Sequence, residues 1–332
     1  MCERAKEFGF ELALVVLWCN YVPDTWANKL MKSKTMPFDA IENYIKKVHE
    51  TFSTFNPFYI ISGDTDLENQ SSINHYRKAS HLLRHLAPDC LQSYHIRGRM
   101  VELPEEIIDE IDFYMYQTGH SAKESDKEMC YQMPEYFLTN YPVKPLINSE
   151  PCYESIGYAG NMYGRFHQFD IRRAAWQSLL AGASAGITYG AGGVYSWHEY
   201  GKHFSPCIGE GFDMPHPWQI ALHYPGAWDY SDIKHIFCEY KITDLNPRQD
   251  ILLNETKEIR IAEYQNRYFI YVPENTTIKL KIDINDIESI TILDLETRRK
   301  EIGNKYKKDG ICCLEMHTFG HDVLYIVELK NI

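Results

Sequence analysis

The sequence lacks an apolar run long enough to cross a membrane. Its longest, residues 12–18, stops well short of the roughly 20 residues that a spanning helix needs. It has no Gly-x-Gly-x-x-Gly turn and no Gly-x4-Gly-Lys-Ser/Thr loop, so no nucleotide-phosphate cradle is predicted. The nine cysteines show no Cys-x-x-Cys spacing, and Cys312 and Cys313 are adjacent, which disfavours a disulfide framework and predicts reduced thiols in a cytoplasmic chain. Blocks of Lys and Arg are missing, and the net charge is −12. Such a surface repels nucleic acid and anionic membrane, so neither is expected as a partner. The first residues, Met-Cys-Glu-Arg-Ala-Lys-Glu, form a charged helical turn and not a signal peptide. Repeats and low-complexity segments are lacking too.

What remains is a large apolar core in alternating pieces. Short apolar runs at 10–18, 58–62, 90–94, 112–116, 143–147 and 185–189 read as strands buried on both faces, the pattern of a parallel sheet. Between them lie helical patterns at 40–55, 71–86, 126–141 and 168–181, with two shorter pieces near 217–223 and 231–240. From about 250 the texture changes to short alternating runs divided by Asn, Asp, Gly and Pro turns, which predicts a small antiparallel β-sandwich. The expected organisation is therefore an α/β domain over 1–245 followed by an all-β domain over 250–332. The 24 Tyr, 15 Phe and 6 Trp suit sugar-binding clefts and large cores equally well.

Chemistry gathers at the C-terminal ends of the predicted strands. In order these ends offer Trp18 and Asn20, Asp64 and Asp66, His95, Gln117 and His120, Glu150, and a Gly-rich segment reaching Trp197. Polar groups at every strand end are the signature of a (β/α)8 TIM barrel active site, whereas a doubly wound sheet binds at one switch point. Glu150 closes an apolar run and is followed by Pro151, which blocks regular continuation. Paired with Asp64 (or Asp66) it matches glycoside hydrolysis, in which one carboxyl group protonates the leaving oxygen and the other attacks the anomeric carbon or activates water. Two structural alternatives stand beside this: an Asx turn for Asp64-Thr65-Asp66, and a core salt bridge from Glu150 to Arg165 or Arg172. Arg165 is also counted among the substrate-binding candidates.

His95, Gln117 and His120 match no compact zinc spacing and suit sugar hydroxyls better, so neither metal nor cofactor is expected. His81 and His85 share a predicted helix without an accompanying acid, and His317 and His321 lie in a turn. Gly182-Ala-Ser-Ala-Gly186 follows a helix instead of a strand, the reverse of a nucleophile elbow. Trp18, Tyr153 and Trp197 are placed to stack on sugar rings.

Several of these segments resemble the apiosidase-like glycoside hydrolases, which include endo-apiosidases acting on the pectin rhamnogalacturonan II. The resemblance is carried by Gly63-Asp64, Ser93-Tyr-His95 with Gly98, Tyr116-Gln-Thr-Gly-His120 and Lys144-Pro-Leu-Ile-Asn-Ser-Glu150-Pro-Cys-Tyr-Glu154. It continues through Arg172-Arg-Ala-Ala-Trp176, 181–190, Pro217-Trp218 and Pro225-Gly-Ala227, and covers roughly 5–245. It implies a (β/α)8 barrel with Asp64, at the end of the fourth strand, as general acid/base and Glu150, at the end of the seventh, as nucleophile. That arrangement looks like a retaining glycosidase. In that family two further β/α units precede the segment at Phe10, so the resemblance implies that this chain supplies six of the eight strands. A non-catalytic carbohydrate-binding barrel or an inactive fragment is the alternative.

Overall fold

The computed structural model describes residues 1–204 and 212–330, which divide into two compact units. The first comprises 1–117 and 140–149, and the second 118–139 with the rest of the described chain from 150 onward. In the first unit, β1 (Ala13–Trp18), β2 (Phe58–Gly63) and β3 (Gln92–Ser93) are parallel neighbours in that order. Single parallel bridges, Thr65 with Ile96 and His95 with Met115, carry the pairing past the strand ends towards β4 (Tyr114–Gln117), whose neighbour is β5 (Leu146–Glu150). The helices between them follow their apolar spacing. Helix Gln70–Leu86 buries Ile73, Tyr76, Ala79 and Leu83 at steps of three and four, and Asn69 caps its start by accepting from the Ser72 N–H. It packs on helix Ile41–Phe52, which turns Ile41 and Ile45 inward.

β2 is buried along its length, as its unbroken apolar run predicts. β1 has the same composition but not the same burial: Val16 and Leu17 are enclosed, while Val15 is 45% and Trp18 42% exposed. The reason is position. Among the described residues β1 pairs with β2 alone, so it is an edge strand whose outer flank no neighbour covers.

In the second unit, helix Gln168–Leu180 leads to the short strand β6 (Gly186–Ile187). Antiparallel structure then takes over: β7 (Asn246–Pro247), β8 (Arg260–Tyr264), β9 (Arg267–Val272), β10 (Ile278–Leu280), β11 (Ile287–Asp294), β12 (Lys300–Ile302), β13 (Lys305–Lys308), β14 (Ile311–Leu314) and β15 (Val323–Leu329). Six of these form a sheet in the order β12-β11-β15-β9-β8-β7, and a second sheet runs β10-β14-β13. The two sheets enclose one core of Tyr268, Ile270 and Val272 with Ile278, Leu280, Cys312 and Leu314. The opposite face of the large sheet is also covered. Phe269, Tyr271, Leu324 and Ile326 pack there against Ala175, Trp176 and Leu179 of helix Gln168–Leu180 and Ile233 and Ile236 of helix Gly226–Tyr240. So β9 and β15, at the middle of the sheet, are buried on both faces and show no polar alternation. Each such large aliphatic side chain contributes roughly 1.5–3 kcal/mol.

One cation ties these layers. Arg172, 2% exposed, donates to both Asp322 (2.6 and 3.0 Å) and Asp229 (3.2 Å), and to Glu296 (3.0 Å). Burial opposes its charge, but the carboxylates win and hold the guanidinium above its ordinary value. Tyr271 donates its hydroxyl to Asp322 at 3.1 Å, and Arg298 donates to the other oxygen of Asp229 at 2.5 Å. Replacing Arg172 with Met leaves buried Asp322 without its cation and Asp229 with Arg298 alone. Urea denaturation of Arg172→Met is expected to show a loss of about 3–5 kcal/mol, and a loss below 1 kcal/mol would contradict this account.

Asp294 gives a pH-dependent counterpart. Burial pushes its carboxyl up, but bonds from the Thr297 hydroxyl, the Glu296 N–H and His321 outweigh that and bring it down to about 2. A depressed carboxyl stabilises the fold above its unfolded value and loses that contribution as the pH falls through the folded one. Wild-type stability should therefore drop by about 2 kcal/mol between pH 4 and pH 2 through this group. Acid titration of Asp294→Asn, followed by circular dichroism, should lack that component.

Candidate active site

At the end of β2, backbone geometry does the positioning. Trp18 lies flat over Gly63: a Cβ there would stand 2.2 Å from the indole, so only glycine admits the ring. The next residue, Asp64, has φ +51°, a left-handed conformation that Asp tolerates better than most residues. Three bonds hold it. Its N–H donates to His95 Nδ1 (3.0 Å), its carbonyl accepts from the Trp26 indole (2.7 Å), and its Oδ1 accepts from the Gln117 side-chain amide (2.6 Å). Gln117 is buried and donates to the Ile96 carbonyl as well (2.8 Å), so its amide cannot swing away cheaply. Because an amide N–H can only donate, Nδ1 of His95 is the acceptor, and the neutral ring carries its proton on Nε2. Asp64, His95 and Gln117 thus form one hydrogen-bonded group.

The other candidates of the first unit serve the surrounding loops. Asp66 is buried; its Oδ2 accepts the Trp26 N–H (2.9 Å) at the start of helix Trp26–Met31, while its Oδ1 finds no hydrogen-bond partner. That is an anchor at the N-terminus of a helix that precedes it in the chain. Asn20 sits in the turn Cys19–Tyr21, where its carbonyl accepts from Asn28 and its amide meets Met31 Sδ at 3.2 Å.

A second group forms around Glu150 in the second unit. β5 stops at this residue, and Pro151 prevents the strand from continuing. Its carbonyl accepts from the Gly119 N–H (3.1 Å), and Oε1 lies 3.0 Å from His120 Nε2. The Glu150 side chain remains 21% exposed while His120 is buried. The imidazole is walled by Tyr153, with ring centres 4.5 Å apart, and by Phe212 edge-on at 5.6 Å. Tyr153 in turn rests on Gly190, where a Cβ would come within 2.1 Å of its ring. Arg165 donates to the carbonyls of Ser155 (2.9 Å) and Met214 (2.6 Å), bracing two loop segments. Arg172 belongs to the network with Asp229, Asp322 and Glu296. Trp197 is 59% exposed and stacks on Trp218 at 4.8 Å with planes 8° apart.

Sequence reasoning passed over Glu154, although it lies four residues beyond Glu150. It is buried and accepts from the Tyr189 hydroxyl (2.6 Å) and from the Gly226 N–H with both oxygens (2.9 and 3.1 Å). Burial raises its pKa against the pull of these donors. A Cβ at position 226 would stand 2.4 Å from a Glu154 oxygen, so glycine makes this carboxylate–amide approach possible. The legible signal was a second acid just behind the first, paired with Pro225-Gly226 at a helix start. Trp26 and Trp218 were missed because their partners are remote in sequence. His81 pairs with Glu110 (2.7 Å) and His321 with Asp294 (3.1 Å), and Gly182, at φ +117°, packs against Leu138 after the helix end.

The apiosidase-like catalytic domain family matches residues 1–244. Two solved structures superpose over 98% of the chain, each with a TM-score of 0.81: one described as a glycoside hydrolase, at 18% identity and covering 75% of that chain, and a glycoside hydrolase family 5 protein from Bacteroides vulgatus ATCC 8482, at 19% identity and covering 72%. No curated protein matches the chain. The geometry around Tyr153 yields a direct test. Gly190→Ala must displace that ring and is expected to cost about 1–3 kcal/mol and to shift the ring-current-sensitive proton resonances of His120. A mutant spectrum and melting curve identical to wild type would refute the close packing.

Proposed function

The chain belongs to the apiosidase-like family of glycoside hydrolases and is a glycosidase, and on that premise we propose that it cleaves O-glycosidic bonds in a plant or microbial polysaccharide on a (β/α)8 barrel scaffold, with Glu150 as nucleophile and Asp64 as general acid/base. The apiosyl linkages of rhamnogalacturonan II are the leading candidate substrate. The observation that carries the reading is the setting of Glu150: a partly exposed carboxylate at a strand end, aimed by a buried histidine within an aromatic wall. The 3.0 Å approach of His120 Nε2 to Oε1 fixes the orientation of the carboxyl group that the proposed nucleophile presents.

In the proposed reaction the Asp64 carboxyl group gives its proton to the glycosidic oxygen while a Glu150 oxygen attacks the anomeric carbon. The C–O bond to the leaving sugar breaks and a glycosyl-enzyme ester forms. Asp64, now ionised, takes a proton from water. The resulting hydroxide equivalent attacks the anomeric carbon, and the Glu150 carboxylate is released. Gln117 would fix the Asp64 carboxyl plane through both halves of this cycle, since its amide is itself tied to the Ile96 carbonyl. His120 and Tyr153 would exclude water from one side of Glu150.

The test is a hydrolysis screen on pectin-derived oligosaccharides with the full chain. Glu150→Gln is expected to lower kcat by about 10³-fold or more with its melting temperature unchanged. Added azide should restore turnover to Glu150→Gly as a glycosyl azide. Proton NMR of the first-formed sugar should show the anomeric configuration of the substrate. Full activity in Glu150→Gln would sink the assignment, and an inverted first product would replace the nucleophile role with that of a general base.

A further inference from the structure

Two rings away from Glu150, past His120 and Tyr153, lies a cavity of about 430 Å³. Tyr153, Tyr189, Gly190 and Ala191 line it from one side, Val194 and Tyr195 from another, and Ala221, Leu222 and Ala227 close it. Its volume falls in the range of small-ligand clefts. Every one of these residues is uncharged. Their order in space has a sequence cause. Helix Gly192–Tyr195 and helix Trp218–Ala221 approach so closely that a Cβ on Gly193 would stand 2.3 Å from the His216 carbonyl oxygen and 2.8 Å from Ala221. That contact sets the Tyr195 wall against the Leu222 wall. Gly190 lets the Tyr153 ring settle onto the backbone, 4.5 Å from His120, which holds Glu150. Tyr189 cannot rotate out, because its hydroxyl is bound to Glu154.

We propose that this cavity is a sugar subsite of the same centre as Glu150 and that it takes a neutral sugar ring, whose C–H face stacks on the exposed ring of Tyr195 against the Tyr153 edge of the cavity. The inference rests on the glycosidase reading of Glu150 and deepens it. Aromatic faces and small apolar side chains match the apolar side of a pyranose or furanose ring, including one carrying a methyl or acetyl group. A uronate fits poorly: among the described residues no cation lines the cavity, and the Glu154 carboxyl group accepts from the Tyr189 hydroxyl at its wall.

The experiment is saturation-transfer NMR on the full chain with two probe sets: neutral oligosaccharides from galactan, arabinan and xylan, and acidic oligogalacturonides. Wild type is expected to bind a member of the neutral set and not the acidic one. Tyr195→Ala and Leu222→Asp should each bind that sugar about tenfold more weakly or worse. Both side chains are more than half exposed, so the melting temperature should not change. Preference for oligogalacturonides, lack of binding to every neutral probe, or undiminished binding by both variants would overturn the proposal. The two readings separate cleanly. If wild type hydrolyses nothing yet binds neutral sugars through Tyr195, the catalytic reading falls and the cavity stands. If wild type hydrolyses its substrate and Tyr195→Ala binds neutral sugars unchanged, the cavity falls and the catalytic reading stands.

Discussion

Arg172 is the interaction on which the second unit depends. A guanidinium this deeply buried is tolerable only if every charge around it is matched, and here Asp322, Asp229 and Glu296 surround it. Each partner comes from a different place: the loop before β15, helix Gly226–Tyr240, and the turn after β11. One residue therefore registers a helix of the catalytic region against the edge of the C-terminal sandwich. The consequence reaches the site. Asp229 lies one turn into helix Gly226–Tyr240, and the first N–H of that helix, from Gly226, holds Glu154. Glu154 fixes Tyr189, which walls the cavity two rings away from Glu150. Fixing Arg172 thus fixes an aromatic wall through two carboxylates and one helix. This is why the sandwich is more than an appendage: its large sheet supplies the apolar face on which helices Gln168–Leu180 and Gly226–Tyr240 rest.

A second constraint recurs at three places, where bare backbone is needed under a functional side chain. Gly63 receives Trp18, Gly190 receives Tyr153, and Gly226 receives the Glu154 carboxylate. At each, a methyl group would sit 2.1–2.4 Å from the partner. These are not hinge glycines. They are contact surfaces, and they allow a large ring or an anion to lie nearer the main chain than any other residue would permit. The left-handed turn at Asp64 works in the same direction, turning its N–H onto His95 and its carbonyl onto the Trp26 indole.

Much of the local order was legible because it is set by short-range patterns. Helices at 41–52, 70–86, 168–180 and 226–240 and strand β2 announce themselves through apolar spacing and nearby proline. What escaped depends on neighbours distant in sequence. β1 and β2 have like compositions, yet one is an edge and the other central, and no run of residues encodes which. β9 and β15 were read as half-exposed strands because the helices that cover their second face come from elsewhere in the chain. Among the site candidates, strand-end logic named residues that the structure makes hydrogen-bonded neighbours, Glu150 with His120 and Asp64 with His95 and Gln117, since each stands next to a strand terminus. It could not separate Asp66, two residues from Asp64, because alternation along a turn is not fixed as it is along a strand. A burial of 99% and a bond to Trp26 make that distinction, and both require the helix Trp26–Met31 to be in place.

The two histidines repay closer physical comparison. His95 accepts the Asp64 N–H on Nδ1, so its neutral ring is protonated on Nε2. His120 turns Nε2 to Glu150, while its Nδ1 is buried without a hydrogen-bond partner. An unpartnered lone pair at Nδ1 costs less than an unpartnered N–H, so the buried ring again keeps its proton on Nε2 and donates to the carboxylate. Both imidazoles therefore act as fixed dipoles of known sense, and they reach their acids differently. His95 accepts from the backbone of Asp64, and Gln117, a neutral amide, donates to one of its carboxyl oxygens. His120 reaches the Glu150 carboxylate itself. A residue that must gain and lose a proton in each turnover is better held by its main chain; a residue that must stay ionised until it forms a bond is better held by its oxygen.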